Sequence, residues 1–335
     1  MYQHLYHQKD LKSSHFLVTG GAGFIGSNLV EYLLAHGAGK VRVLDNFSTG
    51  SMNNIREYLD HPAFELMEGD IRDLKTCQQA VKGIDYVSHQ AALGSVPRSI
   101  DDPITSNEVN VSGFLNMLVA AQKSAVKKMV YAASSSTYGD SPDLPKVENK
   151  IGNPLSPYAI TKFVNELYAG IFSSQYGFHT IGLRYFNVFG PRQNPQGPYA
   201  AVIPLFITAA LKNESTFING DGETSRDFTF VENAVQANIR ALLSIGIDEH
   251  QVVNIAFGER TTLNQLWNDI TSMVGINKKP NYRDFRAGDV RHSLASINKA
   301  KELIGYEPII SVRDGLKMSV EWYQRAQSTA EVAQV

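Results

Sequence analysis

The stretch FLVTGGAGFIGSNLV, Phe16 to Val30, constrains the fold more than any other part of the chain. A short apolar run ending at Thr19 meets Gly20, Gly21, Gly23 and Gly26, and an apolar helical pattern begins at once. Glycines at such a junction fit a strand turning tightly into a helix, where bare backbone approaches an anion resting on the helix N-terminus. Both G-x-G-x-x-G and G-x-x-G-x-x-G spacings are satisfied, although a simple packing turn uses the same letters. The next apolar run, VRVLD, closes on Asp45, nineteen residues after Gly26. A carboxylate at that distance receives ribose hydroxyls and repels a 2′-phosphate, so the cofactor expected is NAD rather than NADP. Asp70 of EGDIRD stands at the end of a third run, placed either for the adenine amino group or as a solvated strand end.

Beyond the turn, short apolar runs alternate with amphipathic segments: KVRVLD, FELMEGD, DYVSHQAA, NVSGFLNMLVAAQKS and KKMVYAAS. This rhythm predicts an α/β protein of Rossmann type, a doubly wound parallel sheet with right-handed crossovers. After Gly190 it breaks into PRQNPQGPYAAV, a loop expected to enter a smaller mixed α/β unit. The expected division is a NAD-binding domain over 1–186 with a return segment about 228–257, and a substrate domain over 187–227 and 258–335. The final AQSTAEVAQV reads as a frayed tail.

With 335 residues, 43% of them hydrophobic, the chain buries a large core. Its net charge of −2 gives no electrostatic reason to expect nucleic acid or an anionic membrane as partner. A single cysteine, Cys77, excludes an internal disulfide and any cysteine-rich metal site, so no metal is expected. The N-terminal residues lack an apolar targeting core and no window is long enough to span a bilayer; a cytoplasmic location is the expectation.

SPYAITKFVNELY places Tyr158 and Lys162 one helical turn apart on one face, a pair also common on plain surfaces. A phenol must fall by about 3 pKa units to act as a base near neutrality. A lysine about 6 Å away at an effective dielectric of about 20 supplies roughly 2 of them. A cationic oxidised nicotinamide beside the ring would supply the remainder. Upstream, Ser134, Ser135 and Ser136 in YAASSSTYGD bring hydroxyls to the end of a strand.

Taken together, the glycine turn, GDIRD, SSSTYGD, SPYAITK, LRYFNVFGPRQ and GDGETSRDF resemble the extended short-chain dehydrogenase/reductases that act on nucleotide sugars. Within that family the chain is most similar to UDP-N-acetylglucosamine 4-epimerases of bacterial surface-polysaccharide pathways. The resemblance implies Ser134 as catalytic serine, Tyr158 as base and Lys162 as its partner. It implies cofactor contacts from Gly20, Gly23, Phe24, Ile25, Gly26, Asp45, Asn46, Asp70, Ile71 and Ala91, together with Tyr158 and Lys162. For a UDP-sugar it implies Ser134, Ser135, Asn187, Val202 with Ile203 beside the uracil, Arg226 and Arg286 on the phosphates, and Asp289 on the uridine ribose. Arg226 paired with Asp227, and Asn187 capping a turn, are the bland readings of the same residues. The implied reaction oxidises C4 transiently, lets the 4-keto sugar turn about its diphosphate link, and reduces it from the other face. A homodimer through a four-helix contact is implied as well.

The alternatives differ at single positions. Dehydratases and decarboxylases of the family place an acid just after the serine, whereas Ser135, Ser136 and Thr137 follow here. Galactose-type epimerases carry a lysine where HQAALGSV has Gly94, and a bulky tyrosine where RAGDVRHSL has Ser293. A small Ser293 leaves space for an N-acetyl group at C2, which favours UDP-N-acetylhexosamines over UDP-glucose and UDP-galactose. Nothing in the sequence separates UDP-N-acetylglucosamine from its uronic acid. A NAD-sensing binding protein is the non-enzyme alternative, and Arg291 and His292 are expected in solvent.

Overall fold

The short apolar runs expected as strands, from Phe16 to the one ending at Ser134, become strands of one parallel sheet. The structure, a computed structural model, describes residues 1–196, 199–285 and 290–332, without the side chains of 329–332. The strands run β1 (His15–Thr19), β2 (Lys40–Asp45), β3 (Phe64–Glu68), β4 (Tyr86–His89), β5 (Lys128–Ser134) and β6 (Thr180–Tyr185). Short pieces follow as β7 (Val188–Phe189), β8 (Phe217–Asn219), β9 (Ser225–Arg226) and β10 (Thr229–Phe230). The chain then re-enters the sheet as β11 (Gln251–Ile255) and continues through β12 (Thr261–Thr262) and β13 (Asn281–Arg283). The sheet order is β11-β6-β5-β4-β1-β2-β3, with every neighbouring pair parallel. Strand order reverses between β1 and β4, the crevice where doubly wound sheets hold ligands.

The helices are α1 (Phe24–Ala35), α2 (Leu74–Ala80), α3 (Val96–Asp101), α4 (Pro103–Asn107), α5 (Phe114–Lys123), α6 (Pro157–Tyr176), α7 (Val202–Leu211), α8 (Val231–Leu242), α9 (Leu263–Val274), α10 (Asn298–Ile304) and α11 (Val312–Val332). Side chains of β1 alternate between two cores: Phe16 and Val18 pack with Leu29 and Leu33 of α1 and Val235 of α8. Leu17 packs instead with Phe114 and Met117 of α5 and with Ala169 of α6. Both faces of the sheet are thus covered, and a Leu17→Ala cavity there would cost about 2–5 kcal/mol. A third core gathers Phe206 of α7, Trp267 of α9 and Leu316 of α11, away from the sheet.

Local signals fix the helix that matters most. Ser156 caps α6 by accepting from the Ala159 N–H, Pro157 opens it, and Gly177 ends it at φ +61°. Helix α5 departs from the expected regular start: a π-helical turn, Glu108–Gly113, precedes it. There Asn110 turns inward, accepting from Leu93 N–H at 2.8 Å and donating to Leu93 O at 3.0 Å. Helix α11 continues to Val332 where a frayed tail was expected, its Ala and Glu residues being good helix formers. The first residues pack against α1: Tyr6 stacks on Tyr32 at 5.4 Å and donates to Glu232 at 2.8 Å. Among the described residues, no helix is long and apolar enough to cross a membrane.

Candidate active site

The glycine turn leaves β1 beside the ends of β2 and β4, because Thr19 is level with Leu44 and His89. Gly20 adopts φ +66°, and a Cβ there would lie 2.7 Å from Ala91 N. At Gly26 a Cβ would stand 2.1 Å from Gly20 O, so helix and turn touch only because the side chain is missing. No side chain caps α1 at Gly23, and its first turn carries no acid. Its opening N–H groups are therefore left to an anion. The Asp45 carboxylate accepts from Ala22 N–H at 2.9 Å and Phe47 N–H at 2.8 Å. Burial raises its pKa against the pull of those donors. Backbone bared by glycine, an uncapped helix start and a carboxylate across from them fit a dinucleotide.

One cavity of about 530 Å³ collects every residue expected to hold the cofactor: Gly20, Gly23, Phe24, Ile25, Gly26, Asp45, Asn46, Asp70, Ile71, Ala91, Tyr158 and Lys162. Asp70 is less available than its strand-end position implied. It takes Arg72 Nη2 at 2.8 Å and Asn46 Nδ2 at 3.0 Å, and the Arg72 guanidinium holds its carboxyl below the usual range. Gly94 also lines the cavity, with open space where a side chain would go. His89, at 4% exposure, pairs Nδ1 with Thr19 Oγ1 at 2.8 Å; burial, helped by the Lys162 charge, pushes it down to about 3. It is a neutral brace behind the turn.

At the other end of this cavity stand Ser134, Tyr158 and Lys162. Lys162 is buried, donates to Ala132 O at 2.8 Å, and its Nζ lies 5.9 Å from the centre of the Tyr158 ring. The electrostatics are harsh, since burial raises the Tyr158 phenol with only the Ser134 hydroxyl opposing it, and lowers Lys162 to about 8. The phenol therefore needs more positive charge than this lysine supplies. Ser134 Oγ accepts from Ser136 N–H at 3.1 Å and Ser136 Oγ at 2.9 Å. With both lone pairs engaged, its own proton is the one left to donate.

A second cavity of about 270 Å³ adjoins the first through Ser134, Ser135 and Asn187, and is closed by Arg226, Val290 and Ser293. Asn187 holds φ +37° and donates from Nδ2 to Asp227 O at 2.9 Å, tying this wall to the next strand. Arg226 donates to the carbonyls of Ser225 and Arg291 at 3.0 and 3.3 Å. The Asp227 carboxylate, fully buried, turns inward to the N–H groups of Phe257, Gly258 and Ala295. Val202 opens α7 and Ile203 is buried in the third core; neither lines either cavity. Arg286 and Asp289 lie outside the described residues.

His292 is a correction: expected in solvent, it is partly buried and bonds Ser225 Oγ through Nδ1 at 2.9 Å. Arg291 is exposed and pairs with Asp221 at 2.8 Å. Sequence reasoning missed Gln90 and Tyr185, which line the larger cavity and share a hydrogen bond of 3.2 Å. It also missed Lys146, buried on the wall of the smaller one. Gln90 sits inside the quoted HQAAL run and was within reach; Lys146, in the polar PDLPKVENK, carried no signal. Among the described residues no cluster of metal-ligating side chains occurs.

Comparison with known proteins points to one family. The sequence model of the NAD dependent epimerase/dehydratase family matches residues 16–256. A UDP-glucose 4-epimerase of Mycolicibacterium smegmatis is 37% identical over 310 residues, covering 92% of this chain and 98% of its own. The solved UDP-N-acetylglucosamine 4-epimerase of Methanobrevibacter ruminantium, in complex with UDP-N-acetylmuramic acid, superposes with TM-score 0.88 at 39% identity, covering 93% of this chain and 99% of its own. The UDP-glucose 4-epimerase of Thermotoga maritima, solved with UDP-glucose, gives TM-score 0.88 at 37% identity with the same coverage. By its sequence and by its Rossmann-type fold, the chain belongs to the NAD dependent epimerase/dehydratase family.

Proposed function

We propose that this protein is a UDP-sugar 4-epimerase that interconverts UDP-N-acetylglucosamine and UDP-N-acetylgalactosamine. One observation carries the choice of epimerisation: among the described residues, the polar side chains lining the smaller cavity are hydroxyls, an amide, a lysine and an arginine, with no carboxylate. Dehydration or decarboxylation asks for an acid or base beyond the tyrosine. The relatives named for UDP-glucose support that sugar as the second reading; the small Ser293 on the wall favours the N-acetylated one.

In this reading Tyr158 removes the proton of the sugar 4-hydroxyl, and Ser134, its lone pairs filled by Ser136, donates its hydrogen bond to that oxygen. Lys162, held by Ala132 O, keeps a positive charge behind the phenol. Bound NAD supplies the reversible hydride acceptor for C4. The residues at the glycine turn, with Asp45, hold its adenosine and pyrophosphate, and Asn187 and Arg226 hold the UDP. On this division, 1–186 with the return about 228–257 serves the cofactor, and 187–227 with 258–335 serves the nucleotide sugar. A homodimer is part of the proposal, supported by Ile160, Leu167, Tyr168 and Ile171, exposed at one-turn and two-turn spacings along α6.

The test is turnover of UDP-N-acetylglucosamine by purified protein without added cofactor, followed by proton NMR, with bound NAD verified by absorbance after denaturation. Conversion is expected, and Tyr158→Phe should keep the NAD while losing about 10²–10⁴-fold in rate. Bound NAD with no conversion of any UDP-hexose would leave a NAD-sensing protein instead.

A further inference from the structure

The sugar pocket holds a charge that epimerisation of a neutral sugar does not use. Lys146 is 4% exposed and lines the smaller cavity together with Ser134, Ser156 and Ser293. Its backbone is pinned on both sides: Lys146 N–H donates to Leu294 O at 2.7 Å, and its carbonyl accepts from Ser296 N–H at 2.9 Å and Asn254 Nδ2 at 3.0 Å. The side chain therefore starts from a fixed point beside the segment 294–296, next to Ser293. Its ammonium donates to Ser141 O, and among the described residues the acidic group that acts on it is Asp143, through space rather than in a hydrogen bond. Three donors sit on an ammonium, and Ser141 takes one.

A buried cation is costly unless an anion meets it. Burial pushes the Lys146 pKa down, and among the described residues only Asp143 pulls the other way, so those residues leave the charge poorly matched. A neutral hydroxymethyl or acetamide group would accept a hydrogen bond but not balance the charge. Ser134 and Lys146 line the same cavity, and a sugar that presents C4 to Tyr158 and Ser134 carries its exocyclic C6 only two bonds from C4, so the C6 substituent falls to the walls of that cavity in this reading. We infer that Lys146 selects a sugar bearing a carboxylate, the 6-carboxylate of a UDP-N-acetylhexosaminuronic acid, over its neutral counterpart. This deepens the epimerase reading and rests on it for the placement of C4.

The experiment measures binding and turnover separately. Calorimetry gives Kd for UDP-N-acetylglucosamine and for UDP-N-acetylglucosaminuronic acid on the NAD-loaded wild type, Lys146→Met and Lys146→Arg, and NMR follows turnover of both sugars. Wild type should bind the uronate more tightly, and Lys146→Met should reduce that preference by about 10- to 100-fold, the reach of one hydrogen bond between charged groups. Lys146→Arg should retain most of it, and in the turnover assay the change should appear in KM rather than kcat. A wild type that prefers the neutral sugar, or a Lys146→Met preference equal to wild type, overturns the inference. Should Lys146→Met not fold, Lys146→Gln and the wild-type preference decide in its place. A preference that shifts as expected with no turnover of either sugar would keep the role of Lys146 and sink the epimerase reading.

Discussion

At the proposed cofactor end the turn after β1 bares its backbone through glycines, and the strand ends beside it complete the cavity. Gly20, Gly23 and Gly26 lie within seven residues, and Asp45 and Ala91 are brought alongside by the parallel register of β1 with β2 and β4. At the proposed sugar end the lining comes from segments far apart in the chain: Ser134 at the end of β5, Lys146 in a loop, Asn187 after β6, Arg226 on β9 and Ser293 beyond β13. The two ends meet at Ser134, Ser135 and Asn187. A site made of backbone is intolerant of added atoms, whereas a site made of side chains is open to retuning one residue at a time. That contrast is open to direct attack.

The largest effect should come from Gly26→Ala. The new Cβ would fall 2.1 Å from Gly20 O and 2.8 Å from Gly20 C, contacts with backbone that no rotamer relieves. Overpacking of that kind costs about 1–3 kcal/mol, up to roughly a hundredfold in NAD affinity if it is taken from binding. The variant should purify with little NAD and bind UDP almost as wild type does. Retained NAD would mean that α1 shifts freely and that the glycine turn is ordinary packing.

A smaller and selective effect belongs to the sugar end. Ser293 is partly buried, and its N–H is tied to Ser225 O at 3.1 Å, so a larger side chain there projects from a fixed backbone. Ser293→Tyr should lower kcat/KM for UDP-N-acetylglucosamine by roughly tenfold or more, as expected of 1–3 kcal/mol of crowding, while sparing UDP-glucose and bound NAD. Equal loss on both sugars would show that Ser293 supports the wall without gauging the substituent.

The same contrast explains what the sequence made legible. Glycine spacing, the carboxylate at the end of β2 and the one-turn Tyr158–Lys162 pair are local patterns, and local geometry carries them directly into one cavity. The π-helical turn before α5 was not legible, because Asn110 reaches seventeen residues back to Leu93. Lys146 was hidden for a related reason: its burial depends on the segment 294–296, some 150 residues later, folding against it. Even the correct Tyr158–Lys162 spacing misled on energetics, since burial works against the phenol and the lysine alike. Tertiary enclosure sets that cost, and a pattern of letters does not contain it.

Asp227 gives the smallest and most diagnostic comparison, since it holds the sugar wall without facing the sugar. Its carboxylate accepts from Phe257 at 3.1 Å and from Gly258 and Ala295 at 3.2 Å, while its own carbonyl receives Asn187 Nδ2. Arg226 precedes it in sequence and Ser293 lies two residues before Ala295, so the carboxylate ties together the two segments that carry these wall residues. Burial pushes its carboxyl up to about 7, with the N–H groups of Ala295, Gly258 and Phe257 pulling against burial. An unfolded aspartate titrates near 3.9, about three units lower. Between those values the folded protein keeps a proton that the unfolded chain has released. The stability from this group is therefore complete below the unfolded value and is lost as pH rises through about 7. Asp227→Asn removes the titration and turns an amide toward N–H donors, a cost of about 1–3 kcal/mol. The Tm gap between wild type and Asp227→Asn, measured at constant ionic strength, should be widest near pH 5 and narrow toward pH 8. UDP-sugar affinity should weaken in the variant with NAD content unchanged. A gap that widens with pH would show that the three N–H groups, rather than burial, govern this carboxyl, and loss of NAD alongside UDP would mean that the two ends are not separately built.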